Sequence, residues 1–247
     1  MTIESRLVEI SRRVDAAAER SGRTRGSVQV IAVSKYRTVE EIEAARRAGV
    51  TEIGENRVQE AEHKYPLLQG KELVWHLVGH LQGNKAKRAV QMFDWIHSLD
   101  SVKLAERVDR LAAEIGKRQR VLVQVDLVGE ETKSGLPATR LFEDLEQMGR
   151  LEHLSVEGLM VLPPFLSNAE EVRPYFSRLR GLRDEVEKRD ILSSPLAELS
   201  MGMSHDFEVA IEEGATMVRI GTALFGERPL SQPTSTKSDT ITQEEER

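Results

Sequence analysis

Cysteine is absent from the 247 residues, which removes disulfides, thiolate metal sites and a cysteine nucleophile at once. Aromatic side chains are few: two tryptophans, three tyrosines and six phenylalanines. That is too little ring surface for a platform that stacks nucleic-acid bases. There is no basic excess to grip a polyanion either, because the net charge is −6. No apolar run approaches the roughly 18 residues a membrane helix requires. The opening stretch, Met1 to Arg13, is charged from Glu4 onward and lacks an apolar centre, so no secretory leader is expected. What remains is 39% hydrophobic and 31% charged residues. That balance predicts a soluble, cytoplasmic, globular chain of one large domain or two small ones.

The hydrophobic pattern alternates. Ile3, Leu7, Ile10 and Val14 fall at helical spacing and predict an N-terminal helix. Val28 to Val33 is a short, β-branched run suited to a strand buried on both faces. Thr38 followed by Glu41 has the spacing of a capping box and opens a helix to about Gly49. Further strands are predicted at 51–53, 73–78, 94–98, 120–127, 154–160, 198–200 and 216–220. Helices are predicted between them, at 58–68, 85–92, 101–115, 137–148, 169–187 and 204–213, with a short turn from Thr222 after the last. Eight strand–helix units predict a single α/β domain, a (β/α)₈ barrel of the TIM type with an extra N-terminal helix, over residues 1–229. A doubly wound open sheet is the alternative, since periodicity does not say whether a sheet closes. Residues 230–247 carry one large apolar side chain and predict a disordered polar tail.

In such a barrel chemistry gathers where the strands end. The first strand runs into Ser34-Lys35-Tyr36. A lysine there is either an ordinary solvated rim residue or, with its pKa lowered by desolvation, an amine that attacks an aldehyde to form a Schiff base. Ser200-Met201-Gly202-Met203-Ser204 and Gly221-Thr222 follow the last two strands, where barrels commonly hold phosphate. Otherwise Gly202 and Gly221 only permit tight turns. Arg219 sits inside the last strand, and a buried arginine needs a partner. A phosphate-bearing ligand whose other end meets Arg219 explains it better than a structural carboxylate. Lysine and phosphate cup together suggest pyridoxal phosphate.

Several stretches carry a family resemblance. They are Ala32-Val33-Ser34-Lys35, Gly54-Glu55-Asn56-Arg57-Val58-Gln59-Glu60, Trp75-His76 with Leu81-Gln82-Gly83-Asn84-Lys85, and Lys133-Ser134-Gly135. To these are added Gly158-Leu159-Met160, Ser200-Met201-Gly202-Met203-Ser204 with Asp206, and Val218-Arg219-Ile220-Gly221-Thr222 with Phe225-Gly226. By these motifs the chain resembles the pyridoxal phosphate homeostasis protein family, also called YggS-like or proline-synthetase-co-transcribed proteins, over residues 1 to about 228. The resemblance implies a fold like the N-terminal domain of alanine racemase, with pyridoxal 5′-phosphate as cofactor. It implies a Schiff base on Lys35, a phosphate cup of Ser200, Gly221 and Thr222, and Arg219 facing the pyridine nitrogen. Asn56 would lie near the ring.

These expectations favour a carrier over an enzyme. Arginine does not protonate the pyridine nitrogen as a carboxylate would, so the ring would delocalise a carbanion weakly. Racemisation needs an acid and a base on opposite faces, and no counterpart of the domain that supplies the second base in related racemases is expected here. The expected role is therefore intracellular cofactor homeostasis by a monomer, with hand-over to apo-enzymes, no efficient catalysis, and neither nucleic acid nor membrane as partner. The rivals are a racemase-like enzyme on the same fold, a Schiff-base aldolase on a sugar phosphate, and an interaction protein with a vestigial pocket. His76 and His80 straddle a strand end rather than share a helix face, which favours a structural or rim role over zinc. Glu130-Glu131 with Lys133 reads as a solvated loop, and Lys85, Lys87 and Arg88 as a solvated helix face.

Overall fold

The structure, a computed structural model, describes residues 1–129 and 134–227. Helix α1 (Ile3–Arg20) is capped by Thr2, whose hydroxyl accepts from the Ser5 amide. It buries Ile10, Val14, Ala17 and Ala18 and lies outside the barrel against its last two helices. Strands β1 (Gln29–Val33), β2 (Glu52–Glu55), β3 (Val74–Leu77), β4 (Trp95–Leu99) and β5 (Gln119–Asp126) follow in order. A two-residue strand β6 (Leu136–Pro137) pairs only on the outer part of β5. Then come β7 (Leu154–Met160), β8 (Glu198–Met203) and β9 (Met217–Ile220). All the pairings are parallel, β5 joins β7 directly, and β9 returns to β1 with Ile31 opposite Arg219. The ring is therefore closed with eight strands, and the open doubly wound sheet is excluded.

Helices α2 (Val39–Arg47), α3 (Val58–Leu68), α4 (Ala86–Met92), α5 (Val102–Ala113), α6 (Leu141–Met148), α7 (Arg173–Lys188) and α8 (Phe207–Glu212) connect the strands, and α9 (Thr222–Phe225) follows the last of them. The capping box at Thr38 and Glu41 forms as the spacing predicts. Two apolar clusters result from the period-two alternation of the strands. Ala32, Ile53, Ile96 and Val123 face the helix layer, whereas Ile31, Val33, Trp95, Leu122, Met160 and Met217 fill the barrel interior. Each large aliphatic chain so buried contributes roughly 1.5–3 kcal/mol.

Where boundaries differ from expectation, the reasons are local. The helices expected from Lys85, Pro137 and Ala169 begin as 3₁₀ turns at Gly83–Lys85, Ala138–Arg140 and Ala169–Val172. Strand β8 runs on to Met203 because its register shifts between Ser200 and Met203 against β9, a bulge that re-aims the side chains beyond it. Helix α8 consequently starts at Phe207 rather than at Ser204. The Glu130-Glu131 and Lys133 loop and the expected polar tail lie outside the described residues.

Candidate functional site

The end of β1 is clamped before it delivers Lys35. The Ser34 hydroxyl donates to Glu55 Oε1 at 2.7 Å. Lys64, from α3, donates to the same oxygen at 2.7 Å and to the Ser34 carbonyl at 2.8 Å. Glu55 is fully buried, and its second oxygen has no hydrogen-bond partner. Burial pushes its carboxyl pKa up, against the opposing pull of Lys64. On the other side of Lys35, Tyr36 adopts a left-handed backbone with φ 62°, held by its amide donating to Glu60 Oε2 at 2.9 Å. Such a conformation costs a bulky residue on the order of 1 kcal/mol. Arg37 then ties this turn to the far end of the chain through the Gly226 carbonyl and the Phe225 ring face.

Half-buried Lys35 lines a cavity of about 740 Å³ together with Asn56, Arg57, His80 and Lys85. Gly79 shapes it: a Cβ there would lie 2.2 Å from the Asn56 carbonyl oxygen, so only glycine lets the β2 and β3 loops close on each other. Of the expected residues, Lys35 and Asn56 line this cavity, whereas Ser200, Arg219, Gly221 and Thr222 do not. Gly221 and Thr222 belong to the neighbouring rim, and Ser200 and Arg219 are buried beneath it. Gly221 lies against Val33, two residues before Lys35, since a Cβ on it would sit 3.5 Å from the Val33 carbonyl.

At that rim the amides of Gly221 and Ala223 both donate to one hydroxyl, Ser204 Oγ, at 3.2 Å each. The two glycines differ in kind. Gly202 has φ 91°, and a Cβ would come within 2.6 Å of Ala210 Cβ, so the chain needs glycine there for folding. Gly221 has negative φ and a Cβ would make only ordinary contacts. Folding does not require glycine at 221, and its lack of a side chain leaves the rim around that amide uncrowded.

Ser200, which the resemblance assigns to the phosphate cup, is fully buried inside the barrel. The β8 bulge separates it from the rim, and its hydroxyl is taken up by Arg219 Nη1 at 2.7 Å and His97 Nδ1 at 2.9 Å. The rim hydroxyl is Ser204. Arg219 also donates through Nη2 to the Val161 carbonyl at 2.8 Å. Among the described residues no carboxylate is within ion-pair distance of it. Burial pushes its pKa down to about 10, with Asp206 the charge that opposes this.

What lies beneath Arg219 has no counterpart among the sequence motifs. His97 Nε2 meets His76 Nδ1 at 2.9 Å, and His76 Nε2 meets Glu52 Oε2 at 2.7 Å. Both rings are fully buried, and His76 stacks on Trp95 with an interplanar angle of 8°. Burial lowers both pKa values, His97 well below the ordinary range with His76 and Arg219 adding to the effect. His80, by contrast, is exposed and pairs with Asp100 at 3.2 Å. The two histidines that the sequence set four apart therefore sit in different environments.

Residues 6–229 match the family description of the alanine racemase N-terminal domain. A curated relative from Aquifex aeolicus, named pyridoxal phosphate homeostasis protein, is 46% identical over 223 residues, covering 90% of this chain and 97% of the relative. The Escherichia coli protein of that name is 35% identical, with 93% and 98% covered. The solved structure of PipY from Synechococcus elongatus with PLP bound superposes with a TM-score of 0.80 at 41% identity, covering 91% of this chain and all of that one. Alanine racemase of Clostridium difficile, at 16% identity and a TM-score of 0.65, shares the fold over 60% of its length. The chain belongs to the alanine racemase N-terminal domain family and, within it, to the pyridoxal phosphate homeostasis proteins.

Proposed function

We propose that this chain binds pyridoxal 5′-phosphate at the C-terminal mouth of the barrel and serves cofactor homeostasis as a cytoplasmic, monomeric carrier that hands the cofactor to apo-enzymes. The observation that carries the reading is the meeting at β1 of a rim lysine with the β9 amides, Lys35 following closely on the Val33 carbonyl that Gly221 approaches. PLP in the PipY structure supports it.

The residues present fit the group. Gly221 and Ala223 present amides that already converge on one oxygen, Ser204 Oγ, and converging amides are suited to a phosphate. Thr222 opens α9 beside them. Arg219 is a buried cation that donates to two neutral oxygens, Ser200 Oγ and the Val161 carbonyl, which suits a neutral ring nitrogen that accepts a hydrogen bond. Asn56 lines the cavity beside Lys35, on the β2 loop. The cofactor supplies an aldehyde that forms a reversible imine with an amine, here that of Lys35. The Ser34–Glu55–Lys64 clamp and the Tyr36 turn hold that lysine in place, and the open cavity admits a second amine to displace it.

Arg219 also supports the absence of efficient catalysis. It stays protonated and disfavours a second positive charge on the ring nitrogen beside it, so the electron sink that C–H cleavage needs is weak. Among the described residues no helix is long and apolar enough to cross a membrane. The test compares visible spectra of the wild type and Lys35→Ala after incubation with pyridoxal 5′-phosphate. A coloured wild type and a colourless variant are expected. A wild type that stays colourless in excess cofactor sinks the proposal, and deuterium entering the Cα of any amino acid in a broad panel overturns the carrier role.

A further inference from the structure

Five side chains form one continuous hydrogen-bonded chain through the barrel interior: Arg219, Ser200, His97, His76 and Glu52. Its links are 2.7, 2.9, 2.9 and 2.7 Å. Four of its members are buried, and Glu52, at the opposite end of the strands from Lys35, is partly exposed. Chemistry fixes the direction of every link. Arginine only donates, and an ionised carboxylate only accepts. Ser200 Oγ accepts from Arg219 and so gives its one proton to His97 Nδ1. A neutral His97 then carries its proton on Nε2 and donates to His76 Nδ1. His76 carries its proton on Nε2 and donates to Glu52.

The opposite polarity fails on the same count. His97 would donate to Ser200, the serine proton would be left with no acceptor in a buried position, and Glu52 would need to be protonated to donate to His76. An unsatisfied buried hydroxyl is costly, so the forward polarity is the one that satisfies every atom. The other charges facing the chain are Asp94 and Arg120 near His76, and Asp206 near Arg219. None of them joins it by a hydrogen bond.

We infer that this chain is a polarised strut in which Glu52, across the barrel, fixes the tautomers of His76 and His97 and thereby presents Arg219 to the mouth as an oriented, permanently charged donor. His76, His97 and Glu52 are positioning residues that act through Arg219, and this part of the inference rests on the reading that the mouth takes pyridoxal 5′-phosphate. The strut gives Arg219 a counter-charge without a carboxylate beside the ring nitrogen. Neighbouring hydrogen bonds polarise one another, so a change at Glu52 is felt at the far end.

The test has a cofactor-independent arm and a cofactor-bound arm. In protein with ¹⁵N-labelled histidine and no cofactor, nitrogen shifts and couplings should report neutral Nε2–H tautomers for His76 and His97. Glu52→Gln keeps an acceptor and should preserve both tautomers. Glu52→Leu removes the acceptor and should disturb the tautomer of His97, which Glu52 does not touch. An Nδ1–H tautomer in the wild type, or a His97 indifferent to Glu52→Leu, overturns the strut. In the second arm, Glu52→Gln should move the pH midpoint of the cofactor's visible band downward by roughly half a pH unit, because a negative charge has been removed. A band whose midpoint does not move refutes the link to the mouth. Failure of the cofactor reading is distinguishable, because the wild type would then show no Lys35-dependent band while the histidine signals still report the strut.

Discussion

Replacing Arg219 with methionine separates a residue retained for folding from one retained for a ligand. The guanidinium is buried, and its pKa pushed down to about 10 corresponds to about 3 kcal/mol of unfavourable burial. Against that stand its bonds to Ser200 Oγ and the Val161 carbonyl, each on the order of 1.5–3 kcal/mol for a charged donor. The two contributions nearly offset each other. Urea unfolding of cofactor-free Arg219→Met is therefore expected to show a destabilisation of about 0–3 kcal/mol, below the 3–5 kcal/mol typical of breaking a buried ion pair. Cofactor affinity, followed by titration of the visible band, should fall roughly 10- to 100-fold, because one charged-donor hydrogen bond is lost. Arg219→Lys should fall between wild type and methionine, since it keeps the charge but loses the planar fork. A stability loss above about 5 kcal/mol together with unchanged affinity would show that Arg219 is a structural residue and refute the reasoning.

Other expectations follow from the same geometry. Lys64→Met strands the buried Glu55 carboxylate and should cost about 3 kcal/mol in urea unfolding. Adding Glu55→Gln should recover at least half of that, and no recovery would mean the clamp is not electrostatic. Gly202→Ala should destabilise by about 2 kcal/mol, from its left-handed backbone and the clash with Ala210. Gly221→Ala should unfold at nearly the same urea concentration as wild type yet hold the cofactor more weakly, and a large stability loss at 221 contradicts the distinction between them. His76 and His97 have pKa values depressed by burial in the folded state. The unfolded chain therefore binds protons the native state refuses as pH falls below about 6.5, with each histidine costing at most about 1.4 kcal/mol per pH unit. Stability measured from pH 7 to 5 should decline accordingly, and less steeply in His97→Gln. Identical slopes would mean His97 is not neutral in the fold.

The elements that announced themselves in the sequence are those whose signal is local. Val28 to Val33 is apolar and β-branched, Thr38 and Glu41 have capping-box spacing, and Lys35 directly follows its strand. Each can be read within a few residues. The strut could not be read this way. Glu52, His76, His97, Ser200 and Arg219 lie on five different strands, and no local motif links them. Only closure of the barrel, with its register between β1 and β9, brings them into line. The different settings of Ser200 and Ser204 are illegible for a related reason. Both flank Gly202 within one motif, and which of them reaches the rim depends on a bulge in β8 that hydrophobic periodicity does not encode.

That interior chain bears on why a barrel of this family would carry a cofactor rather than use it. A carboxylate bonded directly to the ring nitrogen would hold a proton there and draw electron density out of a substrate C–H bond. Here the carboxylate hydrogen-bonded to the network, Glu52, is four hydrogen bonds from the guanidinium, with two neutral imidazoles and a hydroxyl between them. Its charge compensates Arg219 without offering the ring a proton. On the function proposed above, the mouth would favour exchange of one amine for another at Lys35, which needs no electron sink, over breaking a bond at the substrate's α-carbon, which does. Glu52→Gln should therefore alter how tightly and at what pH the cofactor is held without producing Cα exchange. Any variant that gains such exchange should be one that places a carboxylate at position 219, and Arg219→Glu is the direct trial. Deuterium incorporation into amino acids by Arg219→Glu but not by wild type is the expected result, and incorporation by wild type at an equal rate would contradict this account of the site.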